Sequence, residues 1–244
     1  MNVKNRDKKN KVAGYAPLSF AFLLVLLMAC QSESTSETTA AEATAPASTE
    51  TAAAPTAAQK TIVFFGNSLT AGYGLEADQS YPSLIQQRID SLGWPYRVVN
   101  AGLSGETTAA GLNRLDWVLQ DSVDIFVLEL GANDGLRGIP LTETRSNLKN
   151  IINQVQQKHP DAQIVLAGMQ IPPNMGPEYT AEFRQIFPAL AEAEGVHLIP
   201  FLLDGVAGDP GLNLPDGIHP NATGQYLVRE NVWSVLEPLL RPTA

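Results

Sequence analysis

The chain has 244 residues, 44% of them hydrophobic, and a formal net charge of −9. That is enough apolar material for one large domain with its own core, without staples. The acidity argues against a nucleic-acid partner, because a polyanion needs a basic face to bind, and the excess acid serves solubility.

Five basic residues, Lys4, Arg6, Lys8, Lys9 and Lys11, open the chain, and an apolar run from Leu18 to Ala29 follows. The run falls short of the roughly 20 apolar residues that span a bilayer and has the form of an export signal. Leu27-Met28-Ala29-Cys30 resembles a bacterial lipobox, in which the cysteine is acylated and becomes the new N-terminus. Cys30 is the only cysteine, so it has no disulfide partner within the chain. The alternatives are a chance cysteine after an ordinary signal and an uncleaved anchor. The expectation is a lipoprotein signal peptide over residues 1–30 and an exported protein, held to the cell envelope by lipid on Cys30. Residues 31–59 are almost all Ser, Thr, Ala and Glu. Such a segment buries too little to offset its ordering entropy, and it reads as a disordered tether.

From residue 60 the chain alternates short apolar runs with helical patterns. Residues 61–65, 96–100, 124–130, 163–168 and 196–200 read as strands. Helical patterns lie near 80–92, 107–120, 141–158, 178–194 and 221–240. Strands separated by single helices imply right-handed crossovers and a parallel sheet covered on both faces. The predicted architecture for residues 60–244 is one α/β/α sandwich with five parallel strands in flavodoxin-like order. Sites in such sheets form beyond the carboxyl ends of the strands. The first three of those ends are polar and glycine-rich: Gly66-Asn67-Ser68, Asn100-Ala101-Gly102, and Gly131-Ala132-Asn133-Asp134-Gly135.

Ester cleavage at serine needs a base for the hydroxyl, an acceptor that orients the base, and donors for the oxyanion. Ser68 stands just past the first strand, where a turn or helix cap is the commonest fate of serine. No G-x-S-x-G surrounds it, which argues against the α/β-hydrolase elbow. Of three histidines, His159 reads as a surface cap and His197 as part of a strand. His219 follows Asp216 by three residues in a loop that opens the last helix, so one loop can present carboxylate and imidazole together. Alone, that spacing also fits a capping aspartate beside a surface histidine. Leu103, Leu136, Ile139, Ile171, Pro172 and Met175 flank the site loops and stand equally as pocket wall and as packing. Three scattered histidines and the lone Cys30 form no metal-ligand cluster.

Together these segments resemble the SGNH (GDSL-type) hydrolase family across residues 60–240. Gly66-Asn67-Ser68-Leu69, Gly102, Gly131-Ala132-Asn133-Asp134 and Asp216-Gly217-Ile218-His219-Pro220 match its four blocks in order. Glu129 to Gly138 and Met169-Gln170-Ile171-Pro172 look most like the thioesterase I/lysophospholipase and arylesterase branch. The resemblance implies a Ser68–Asp216–His219 triad, and an oxyanion hole from the Ser68 amide, the Gly102 amide and the Asn133 side chain. It also implies a small acyl or aryl ester as substrate and no metal or cofactor. A carbohydrate O-acetyl esterase and a non-catalytic lipid- or glycan-binding lipoprotein are the rival readings. Asn67 departs from the aspartate usual in the family, and it removes a charge next to the serine.

Overall fold

The computed structural model describes residues 59–241. The segments read as signal and tether, Cys30 included, lie outside the described residues, save Gln59 at the tether's end. Five parallel strands form one sheet: β1 (Lys60–Gly66), β2 (Tyr96–Gly102), β3 (Ile125–Glu129), β4 (Gln163–Ala167) and β5 (His197–Ile199). Their order is β2-β1-β3-β4-β5, every neighbour parallel, as the strand–helix alternation predicts. β1 and β3 lie inside the sheet, and their apolar runs are buried from Thr61 to Gly66 and from Ile125 to Glu129. A strand covered on both faces has no polar side to alternate, which is why both read as continuous apolar runs.

The helices are α1 (Ser68–Ala71), α2 (Tyr81–Ser91), α3 (Thr108–Val118), α4 (Ala132–Leu136), α5 (Leu141–Lys158), α6 (Pro177–Glu194) and α7 (Ala222–Leu240). α2 packs with α7, and α3, α5 and α6 pack together, one group on each face of the sheet. α1 and α4 carry no helical periodicity, and the sequence does not announce them. They are single turns that follow β1 and β3, and each carries a site residue. Their starts are set by local devices. Asn67 caps α1 by accepting the Leu69 N–H at 2.9 Å. Gly131 enters α4 at φ 112°, a left-handed conformation that glycine adopts without strain.

Register brings the site loops together. Gly66 pairs with Gly102 on one side and with Glu129 on the other, so β1, β2 and β3 end at one level. Gly102 must be small, because a Cβ there would lie 2.3 Å from the Ala71 nitrogen. That close approach lets the loop after β2 lie against α1. The core beneath is built on Phe64, Phe65, Phe126 and Leu128, all fully buried, with Tyr81 edge-on to Phe64 at 5.5 Å.

Candidate active site

Ser68 is the first residue of α1. Its Oγ lies 2.9 Å from His219 Nε2, across 151 residues of sequence. His219 Nδ1 lies 2.7 Å from Asp216 Oδ2. The loop that carries both partners is closed by the Leu214 N–H on the His219 carbonyl at 2.7 Å and by a bridge between Asn213 and Pro220. Asp216 Oδ1 accepts the backbone N–H groups of Ile218 and His219 at 2.9 and 3.0 Å. These bonds hold the carboxylate toward the imidazole. The His219 N–H first, helped by the Ile218 N–H and the imidazole, brings the Asp216 carboxyl down to about 2 against the opposing pull of desolvation. Asp216 is therefore anionic whenever the protein is folded in ordinary buffers. Tyr73, half exposed, lays its ring beside His219 with centroids 4.5 Å apart.

Asn133 lines the same cavity as Ser68 and His219. One Nδ2 proton goes to the Glu106 carbonyl at 3.0 Å, which leaves the other for a ligand. Asp134, the next residue, is fully buried; it accepts the Thr108 N–H at 2.9 Å and the Thr108 hydroxyl at 2.5 Å, tying α4 to the start of α3. The loop between β2 and α3 is clamped by the Glu106 carboxylate, nearly buried, which takes two bonds from Arg114. Arg114 also donates to the Ala101 carbonyl at 2.7 Å.

Gly102 does not occupy the position expected of it. Its N–H is committed to Asn100 Oδ1 at 3.0 Å, and its Cα faces α1. Its small size serves packing. Three residues on, Gly105 sits at φ 81°, and among the described residues its N–H has no acceptor. Its carbonyl takes a bond from Arg137 at 3.0 Å.

The cavity beside Ser68 measures about 580 Å³. Leu136, Ile171 and Pro172 line it as pocket candidates; Leu103, Ile139 and Met175 do not. The wall is completed by Met169 and by Phe201, Leu203 and Ala207, from the segment after β5. That segment carries no motif, and only the fold brings it over the site. His159 caps the end of α5 with Nε2 3.2 Å from the Leu119 carbonyl, and His197 is exposed on β5, so neither approaches Ser68.

Residues 64–227 match the GDSL-like lipase/acylhydrolase family. The chain belongs to that family. Esterase TesA of Pseudomonas aeruginosa is 41% identical over 185 residues, covering 75% of this chain and 91% of the relative. A crystal structure of TesA superposes with a TM-score of 0.71 at 41% identity, over 74% of this chain and 100% of that one. An arylesterase of Vibrio mimicus is 40% identical, covering 72% of this chain and 87% of the relative. Thioesterase 1/protease 1/lysophospholipase L1 of Escherichia coli is 37% identical, covering 75% and 86%. This GDSL-family chain is an ester hydrolase.

Proposed function

We propose that this hydrolase cleaves carboxylic esters or thioesters of aryl or fatty-acyl type through an acyl-enzyme on Ser68. The observation that carries this reading is the continuous line of bonds from Asp216 through His219 to the Ser68 hydroxyl, beside a cavity walled by apolar side chains. His219 accepts the Ser68 proton as Oγ attacks the acyl carbon, and the ionised Asp216 holds the imidazole in the tautomer with a free Nε2. His219 then returns the proton to the leaving oxygen or sulfur. Water, deprotonated by the same histidine, attacks the acyl-serine, and the acid leaves while Ser68 recovers its proton. The tetrahedral oxyanion meets the Ser68 N–H at the start of α1, the free Asn133 amide proton, and the Gly105 N–H in place of Gly102. The apolar wall favours an acyl chain over a sugar acetyl ester, and the names of the relatives point the same way.

A panel of p-nitrophenyl esters from acetate to palmitate on soluble residues 60–244 tests the reading. Turnover is expected to peak above acetate and to fall by at least about three orders of magnitude in Ser68→Ala and in His219→Ala, because triad members act as a unit. A Ser68→Ala enzyme that keeps most of its activity removes the mechanism.

The basic start, apolar run and lipobox-like end of residues 1–30 also support export and attachment to the envelope membrane through lipid on Cys30. Cys30→Ser is expected to leave the precursor unprocessed or to release the protein from the membrane fraction. Normal cleavage with unchanged retention excludes it.

A further inference from the structure

Beneath Ser68 lies a carboxylate for which the triad has no use. Glu129 ends β3, an otherwise apolar strand, and is fully buried. Its two oxygens accept three hydrogen bonds: the Asn67 N–H at 3.1 Å and the Thr70 hydroxyl at 2.8 Å on Oε2, and Asn67 Nδ2 at 2.7 Å on Oε1. When Glu129 is ionised, Thr70 gives it its one hydroxyl proton, and the Tyr81 hydroxyl, 2.8 Å away, donates to Thr70. Room for the carboxylate comes from Gly66, where a Cβ would lie 2.6 Å from Oε2. The titratable side chain joined to this cluster is Tyr81, on α2; β1 contributes Gly66, and the start of α1 contributes the neutral Asn67 and Thr70.

The donor count fixes the Asn67 carboxamide. With Nδ2 on Glu129, Asn67 Oδ1 must face the opposite way. There it accepts the Leu69 N–H at 2.9 Å and stands 3.4 Å from Ser68 Oγ. Rotating the amide by half a turn would set oxygen against the carboxylate and N–H against N–H, losing both bonds.

We propose that Glu129 is a positioning residue for the nucleophile, acting through the Asn67 carboxamide to hold the first turn of α1 and the Ser68 hydroxyl in line with His219. The inference rests on the reading of Ser68 as nucleophile. It accounts for two oddities together: an acid in an apolar strand, and an asparagine where the family usually has aspartate. An aspartate at this position would set two carboxylates against each other, and one of them would have to hold a proton. Asn67 supplies the donor permanently. Burial raises the Glu129 carboxyl to about 7, against the pull of the Thr70 and Asn67 bonds, so the cluster changes charge near neutral pH.

The test exchanges donor and acceptor. Glu129→Gln keeps an oxygen for the Asn67 N–H and Thr70 but turns an N–H toward Asn67 Nδ2. The double variant N67D/E129Q reverses the pair. Its introduced amide on β3 donates to the introduced carboxylate before α1, whose other oxygen still accepts the Leu69 N–H. Reactive serine is counted by titration with a p-nitrophenyl phosphonate, and kcat is expressed per reactive serine. E129Q is expected to lose about tenfold or more in kcat with KM nearly unchanged, the cost of a misplaced nucleophile. N67D/E129Q is expected to recover most of that loss. Wild-type kcat in E129Q, or a double variant no better than E129Q, overturns the proposal. Should E129Q fail to fold, N67D alone decides it: a displaced kcat–pH profile supports the role, and a profile superimposable on wild type overturns it. Full activity in Ser68→Ala would instead defeat the underlying reading, whatever these variants show.

Discussion

Asn133 is the residue whose two protons do different work. One is spent on the Glu106 carbonyl at 3.0 Å and ties α4 to the loop after β2. The other makes no bond among the described residues, and Asn133 lines the cavity. Asn133→Ala therefore removes a structural bond and an oxyanion donor at once, and the two losses read out separately. The structural bond is worth about 1 kcal/mol of folding stability. The donor acts mainly in the transition state and is worth roughly 10²–10³ in kcat, about 3–4 kcal/mol. The expected variant is slightly less stable, much slower, and little changed in KM. Normal turnover per reactive serine would assign Asn133 to the fold alone. Asp216 offers a contrast. Its carboxyl is held down to about 2, so it stays charged across the pH range of any assay, and removing it takes away a fixed anion. Asp216→Ala is expected to cost less than His219→Ala, because the Leu214–His219 bond and the Asn213–Pro220 bridge still place the imidazole.

At the scale of elements, much was legible in the sequence for a physical reason. Buried parallel strands must be apolar throughout, so the runs around Phe64 and Phe126 announce themselves. The blocks around Ser68, Asn133 and His219 follow strands or open a helix, and register does the rest. The short helices α1 and α4 were not legible, because a single turn has no period to detect. Gly102 was misread because a glycine in a loop beside a site serves close packing as readily as it offers an amide. Its Cα approaches Ala71, and its N–H is already committed to Asn100. The cavity wall from Phe201 to Ala207 was missed because nothing local to that segment marks it. Glu129 did leave a signal, an acid at the end of an apolar strand, whose meaning needed the position of Asn67. The difference between the two glycines is testable. Gly102→Ala drives a methyl into α1 and is expected to cost about 1–3 kcal/mol by overpacking, with slower turnover because α1 carries Ser68. Gly105→Ala meets open space, with Arg137 Nη2 at 3.9 Å, and is expected to cost about 1–2 kcal/mol from the left-handed backbone alone. Urea midpoints for the two variants, with kcat per reactive serine, check the assignment. A Gly102→Ala protein as stable and as fast as wild type would contradict it.

For the whole molecule, the buried acid predicts how stability follows pH. Glu129 has an ordinary value of 4.5 and is raised to about 7 in the folded chain, chiefly by desolvation. Between those values the folded state holds a proton that the unfolded state has released, so stability falls as pH rises through the window. Below both values the group is protonated in either state and contributes nothing. Above about 7 it is ionised in both, and the penalty reaches on the order of 3 kcal/mol. Asp216 and Glu230 act with the opposite sign, because both are held below their ordinary values and their stabilisation is lost as pH falls through those lower values. Both are partly exposed, so their share is discounted for screening. The formal net charge of −9 adds self-repulsion at higher pH. The thermal midpoint of residues 60–244 is therefore expected to be highest near pH 5 and to fall by roughly 6–12 °C toward pH 8. Glu129→Gln carries no titrating group at this position. It is expected to start lower at pH 5, from the lost bond to Asn67, and to run much flatter across the same range. Scanning calorimetry of both proteins at half-unit steps, at fixed ionic strength, reads the difference directly. A wild-type midpoint that holds level or climbs from pH 5 to 7.5 would mean that the three hydrogen bonds to Glu129 outweigh its burial and keep it ionised throughout.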